Sequence, residues 1–199
     1  QQHQELMLSD VKHLLSQNPL NPSYHQPDAM QETPQSMAPP LEWRRFDGGL
    51  VEIGYEGEGF SYDNESPRHK QYLQPYQLAS RLVTNSEFLR FMEAGGYGNP
   101  ALWLSEGWDW IKENERNHPL YWRKGTNGDT NKGMDGWQEF TLGGVVPLDG
   151  NLPVIHISFY EADAFARWSD ARLPTEVEWE NAAAGQPVEG CFADNNRFH

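Results

Sequence analysis

Three times in this chain a Ser or Thr stands three residues ahead of a Glu at the head of a short apolar run: Thr84-Asn85-Ser86-Glu87, Ser158-Phe159-Tyr160-Glu161 and Thr175-Glu176-Val177-Glu178. In that arrangement the hydroxyl oxygen accepts from the third helical amide while the Glu reaches back to the cap residue's own amide, so both orphan donors are satisfied. Each box therefore fixes a helix start to one residue. The first helix is expected to run through Phe88, Phe91 and Met92 and stop at Gly95-Gly96. The second runs through Ala162, Phe165, Ala166 and Trp168. The third follows Pro174 and runs through Trp179 and Ala182 to Gly185. A box of this kind is worth about 1 kcal/mol and carries no chemistry.

Between these helices the chain is crowded with rings and turn formers. Eight Trp, eight Tyr and nine Phe make up 13% of it, beside 18 Gly and 14 Pro. Many large side chains joined by many turns predict an α+β core stitched from loops, with sparse regular structure. Alternating runs ending on Gly-Gly, Glu-Gly and Ser-Pro predict strands near 42–46, 50–54 and 70–79. The stretch 97–152, with Trp103, Trp108, Trp110, Trp122 and Trp137, is expected to be a long packed loop. Within it, Asp129, Asn131 and Asp135 do not make a calcium loop, because Gly133 occupies a ligand position; a solvated hairpin tip is expected.

Residues 1–17 read as an amphipathic helix in which Leu6, Met7, Val11, Leu14 and Leu15 share one face, ended by Asn18-Pro19. His3 stands four residues before Met7 and extends that stripe by a turn. An imidazole so placed is either a hydrogen-bonded core histidine or a ligand. Residues 19–40, rich in Pro and poor in apolar side chains, predict an extended linker. His13 lies about 80° from His3 around the helix and is expected to be partly exposed. His69 and His118 are expected to serve the fold, and His156, within Val154 to Phe159, to be a hydrogen-bonded core histidine.

A formal charge of −14 without any Lys/Arg cluster disfavours nucleic acid and anionic membranes as partners. The one cysteine, Cys191, leaves no internal disulfide and suits a reducing, cytoplasmic setting; no motif places a base beside it. No apolar run of membrane-spanning length is present.

The run PVIHISFYEADAFARWSDARLPTEVEWENAA, residues 153–183, resembles the central signature of the formylglycine-generating-enzyme-like family, whose fold is related to C-type lectins. The agreement includes Pro153-Val154, Ser158, Ala162-Asp163-Ala164, Trp168, Arg172 to Glu176 and Trp179-Glu180. Upstream, SPRHKQYLQPYQLASRLVTNSEFLRFM resembles the same family's entry strand and first helix. This resemblance implies the fold and leaves the chemistry open, since the signature occurs in copper-dependent formylglycine-generating oxidases, in non-catalytic binding proteins and in iron-dependent sulfoxide synthases. GGYGNPALWLSEGWDWIKENERNHPLYW, residues 95–122, resembles an insertion of the bacterial ergothioneine sulfoxide synthases. QQHQEL at the start resembles the end of a His-Glu-x-Gln-His-x-Glu element on a helix of the DinB-like bundle of those enzymes.

The resemblance implies three segments: 1–18 as the last helix of a truncated DinB-like iron-binding bundle, 19–40 as linker, and 41–199 as a C-terminally truncated formylglycine-generating-enzyme-like domain. It implies Fe(II) as cofactor, His3 as one metal ligand and Gln2 as a contact to the trimethylhistidine substrate, hercynine. Glu5 follows the motif but points about 200° from His3, which suits support rather than ligation. The implied reaction joins the sulfur of γ-glutamylcysteine, or cysteine, to hercynine with dioxygen and yields a sulfoxide. The remaining ligands and the catalytic residues are implied to lie outside this stretch, so residues 1–199 alone are expected to be inactive. A non-catalytic lectin-like binding module, an ovothiol-type synthase and a formylglycine-generating oxidase remain alternatives.

Overall fold

The structure, a computed structural model, describes residues 2–25, 37–125 and 133–187. Asp129, Asn131 and Cys191 lie outside the described residues, as does part of the 19–40 segment. In chain order the elements are α1 (Gln2–Ser16), β1 (Trp43–Phe46), β2 (Gly49–Ile53), β3 (His69–Leu73), β4 (Tyr76–Ala79), α2 (Asn85–Glu93), α3 (Ser105–Glu113), β5 (Trp122–Lys124), β6 (Trp137–Thr141), β7 (Gly144–Pro147), α4 (Phe159–Trp168) and α5 (Glu176–Ala183). Helices are short and the three sheets small, which fits the expected α+β class with sparse regular structure. The chain divides into two compact units, one of Gln1–Pro39 with Leu82–Arg172 and one of Pro40–Arg81 with Leu173–His199.

In the first unit, the two capping boxes form as expected. Thr84 Oγ1 accepts from Glu87 N at 3.3 Å while Thr84 N donates to Glu87 Oε2 at 2.8 Å. Ser158 Oγ accepts from Glu161 N at 3.2 Å while Ser158 N donates to Glu161 Oε2 at 2.7 Å. The helices so started bring Phe88, Leu89 and Phe91 of α2 against Ala164 and Phe165 of α4, with Ile111 of α3 and Trp122 of β5 in the same cluster. Phe88 stacks on Phe165 with ring centroids 5.6 Å apart and meets Phe91 edge-on at 5.3 Å. Fully burying one such ring stabilises by roughly 1.5–3 kcal/mol.

The segment read as a loop, 97–152, holds two elements that were not anticipated: α3, and the antiparallel sheet β5-β6-β7. In α3 the obscuring residue is Gly107, which costs about 1 kcal/mol of helix propensity. Its hydrogen is needed, because a Cβ there would stand 2.6 Å from Tyr160 Cβ of α4.

In the second unit, β1 pairs with β4 (Trp43↔Ala79 to Phe46↔Tyr76) and β2 with β3 (Gly49↔Leu73 to Ile53↔His69). The single strand expected over 70–79 is thus two, interrupted at Gln74-Pro75, where proline cannot donate to a ladder. Opposite the break, Gly48 has φ +71°, and a Cβ would meet Leu73 O at 2.4 Å, so only glycine fits. The third capping box starts α5: Thr175 N donates to Glu178 Oε2 at 2.8 Å. The Tyr76 hydroxyl holds this helix by donating to Glu178 O at 2.8 Å and accepting from Asn181 Nδ2 at 2.9 Å.

Candidate functional site

The candidate site begins on α1, the helix that carries His3 and Gln2. At 100° per residue, His3, Met7, Asp10 and Leu14 fall on one face, and Val11, Lys12, Leu15 and Ser16 lie about 80–220° away. The second set is the docked one: Ser16 is buried, and Val11, Lys12 and Leu15 are half-buried. The first set is open. Leu6, Met7 and Leu14 are 54%, 59% and 70% exposed, and His3, Gln2 and Glu5 are exposed as well. The stripe expected to be buried is therefore split: Leu6, Met7 and Leu14 face outward while Val11 and Leu15 lie on the docked side, and His3 points with the outward part rather than into packed protein.

The docked face is held by side chains from two segments of the first unit. Lys12 Nζ lies 2.8 Å from His156 Nε2 and 4.5 Å from the centroid of the Tyr121 ring. The Tyr121 and His156 rings meet edge to face at 4.7 Å. His13 Nδ1 makes a long 3.4 Å contact with the Tyr121 hydroxyl. At the helix end, Arg123 of β5 donates through Nη2 to Ser16 O at 2.7 Å and through Nη1 to Asn21 Oδ1. A guanidinium there satisfies a free helix carbonyl and suits the negative end of the helix dipole.

The electrostatics of this cluster follow from burial. Burial pushes the Lys12 ammonium below the usual lysine range, and the Glu139 carboxylate of β6 partly restores it. Burial raises Glu139, Lys12 lowers it, and Asp149 raises it again. His156 is held below the ordinary imidazole value by burial and then by the neighbouring Lys12 charge. Burial raises the Tyr121 phenol. The consistent assignment is an ammonium on Lys12 donating to a neutral imidazole on His156.

His156 departs from its expected place. It keeps the anticipated hydrogen bond but is exposed at the residue level rather than in the core, and its φ of +58° puts it in the left-handed region. His is among the side chains more often found there. His13 is exposed, with the Tyr121 contact described above. His118 packs edge-on against Trp137 at 5.5 Å and His69 bonds to Pro67 O at 3.0 Å, both local to the fold. The cluster around Lys12 was invisible to a reading of the apolar stripe, which leaves a lone Lys on the far face as a solvated charge.

Among the described residues, no three His, Cys, Asp or Glu side chains stand close enough together to hold a metal ion. A transition metal suits a neutral imidazole on an open helix face, so His3 fits as one donor. The described residues supply no complete set. Among them, too, no helix is long and apolar enough to cross a membrane.

Residues 29–199 match the sulfatase-modifying factor enzyme 1-like domain. The chain is 36% identical over 146 residues to the hercynine oxygenase of Mycolicibacterium smegmatis, which covers 72% of this chain and 32% of that protein. It is 36% identical over 133 residues to the hercynine oxygenase of Mycobacterium tuberculosis, covering 67% of this chain and 29% of that protein. With the formylglycine-generating enzyme of Streptomyces coelicolor it shares 34% identity over 166 residues, 71% of this chain and 46% of that protein. The stretch aligned with the two hercynine oxygenases is thus about a third of their length.

Proposed function

The chain belongs to the sulfatase-modifying factor enzyme 1-like family, and on that premise we propose that it is part of an iron(II)- and dioxygen-dependent sulfoxide synthase acting on hercynine. In this reading α1 is the last helix of a DinB-like bundle, residues 19–40 are its linker, and the rest forms a formylglycine-generating-enzyme-like domain of lectin-related fold, working in the cytoplasm. The observation that carries it is the open face of α1: His3 stands outward in line with Met7 and Leu14, in a chain 36% identical to a hercynine oxygenase.

His3 would donate one neutral imidazole to the metal, and Gln2, at the start of the same helix, would contact the imidazole substrate through its amide. Glu5 lies about 200° around the helix from His3, where it would support the helix and not ligate. Iron(II), when bound, supplies the redox chemistry. The balance is one thiol, one hercynine and one dioxygen to one sulfoxide and one water: the S–H and ring C–H bonds break, C–S and S–O bonds form, and both hydrogens leave in water. Holding both substrates in one site makes carbon–sulfur bond formation effectively intramolecular.

A formylglycine-generating oxidase is the second reading, favoured by the 34% identity to the Streptomyces coelicolor enzyme. The deciding experiment loads the full-length protein anaerobically with iron(II) or, in parallel, copper(I), then admits dioxygen in the presence of γ-glutamylcysteine or cysteine and either hercynine, histidine or a cysteine-containing sulfatase peptide. A hercynine-derived sulfoxide supports the proposal. A histidine sulfoxide, a formylglycine product or no product rejects it.

A further inference from the structure

Lys12 lies nine residues beyond His3, about 180° around α1. A side chain in that position governs where His3 points, because any roll of the helix about its axis moves the two together. Val11 and Leu15 are half-buried on the same side, but the polar contact that fixes the angle of the helix about its axis is the one made by Lys12. The Lys12 Nζ to His156 Nε2 bond of 2.8 Å resists rolling, since a turn of even one residue, about 100°, carries the ammonium out of reach. We propose that Lys12 and His156 are a positioning pair that sets the roll of α1, and that the pair opens when His156 takes up a proton.

The geometry makes the pair specific. Lys12 is gripped from two directions, by the imidazole at 2.8 Å and by the Tyr121 ring face at 4.5 Å, a cation–π contact. Tyr121 in turn packs edge-on against His156 at 4.7 Å, so the ring orients both partners. His156 sits in a left-handed backbone, φ +58°, in the segment before α4, and its own carbonyl accepts from Leu120 N at 3.4 Å. The segment carrying Tyr121 and the segment carrying His156 are therefore tied to each other before α1 is added.

The charges around the imidazole decide how it responds to pH. Lys12 faces it from α1 and Tyr121 from the segment before β5, with His13 of α1 against the far side of the pair through the Tyr121 hydroxyl. Glu139 of β6 acts through Lys12, and Asp149 acts in turn on Glu139. A second positive charge on His156 would stand directly against the ammonium, and burial already disfavours it. The sign follows: the folded imidazole resists protonation relative to the free one, so the tie is intact above the ordinary histidine value near 6.5 and is lost as pH falls below it. Glu139 opposes this by favouring positive charge on Lys12, which keeps the donor competent throughout.

The statement about His3 rests on the functional reading above, whereas the tie itself does not, and the experiment separates them. Backbone hydrogen-exchange protection factors for residues 8–16, corrected for intrinsic rates, are measured on the full-length protein at pH 7.5 and pH 5.5. Wild type is expected to lose about five- to tenfold protection on acidification, the range set by one charge-assisted hydrogen bond. His156→Gln keeps an acceptor that cannot protonate, so its protection stays high at both pH values. Lys12→Met is low at both, and Lys12→Arg restores most of the protection at pH 7.5. A pH step that survives in H156Q, or wild-type protection in K12M, overturns the pair. Should K12M fail to accumulate, the H156Q result alone decides. On protein loaded with iron(II), the electron paramagnetic resonance signal of the nitric oxide adduct is expected to change in K12M and to hold in H156Q at pH 7.5. If exchange behaves as stated but that signal is the same in wild type and K12M, the link to His3 falls and the tie stands.

Discussion

Tyr97 donates a 2.5 Å hydrogen bond to Glu161 Oε1, on the carboxylate whose other oxygen accepts from Ser158 N at 2.7 Å and caps α4. One buried carboxylate, 3% exposed, thus serves both a helix start and the turn after α2. Replacing it removes both acceptors at once. Glu161→Ala is expected to cost about 3 kcal/mol in urea unfolding of the full-length protein, since two donors are stranded. Tyr97→Phe, which strands only one carboxylate oxygen, is expected to cost about 1–2 kcal/mol.

The same pair gives an alkaline signature. Burial first, then the Glu161 charge and hydrogen bond, hold the Tyr97 phenol well above its ordinary range, with Arg116 acting weakly the other way. A raised folded value means that the unfolded chain releases the proton first. Stability from this group is therefore complete below about pH 10 and declines as pH rises past it. Denaturation midpoints measured between pH 8 and pH 11 are expected to fall in wild type and to fall less in Y97F.

Contact between α3 and α4 depends on the missing side chain at Gly107 and on Tyr160, whose hydroxyl donates to Glu106 Oε2 at 2.5 Å. Gly107→Ala gains helix propensity and loses space. The clash, 2.6 Å to Tyr160 Cβ, is with a side-chain root that cannot swing away, so the expected net is a destabilisation of about 1–2 kcal/mol. A G107A protein more stable than wild type by urea titration would show that the helices part without cost.

Arg123 closes the end of α1 through Ser16 O and Asn21 Oδ1. Arg123→Met keeps much of the stem and removes the donors. Exchange protection in the last turn of α1, residues 13–16, is expected to fall by about tenfold, matching one hydrogen bond to a charged group, while protection in α2 is unchanged.

The helix starts were legible because a capping box is a local code, and Thr84, Ser158 and Thr175 each sit where the sequence puts them. What the sequence hid was settled by partners far along the chain. α3 lacks a capping side chain at Leu104 and carries Gly107, whose reason is Tyr160, 53 residues later. The sheet β5-β6-β7 is built from three- to five-residue strands whose pairing, such as Trp122↔Glu139 and Phe140↔Val145, no periodicity that short can declare. On α1, a 3.6-residue stripe correctly gave the helix but not which side docks: its Val11 and Leu15 edge does, and Leu6, Met7 and Leu14 do not. That was decided by Tyr121, Arg123 and His156, all more than 100 residues away.

The most direct test concerns the outward imidazole of α1. Iron(II) binding by the full-length protein is measured anaerobically for wild type and His3→Ala, together with formation of the hercynine sulfoxide. The expected result is that H3A loses iron affinity by more than the roughly 100-fold seen when only an outer partner of a ligand is removed, and makes no sulfoxide, while keeping wild-type exchange protection in residues 8–16. An H3A protein that holds iron as tightly as wild type and turns hercynine over at the same rate would contradict the assignment of His3 and with it the reading of α1 as a metal-bearing helix.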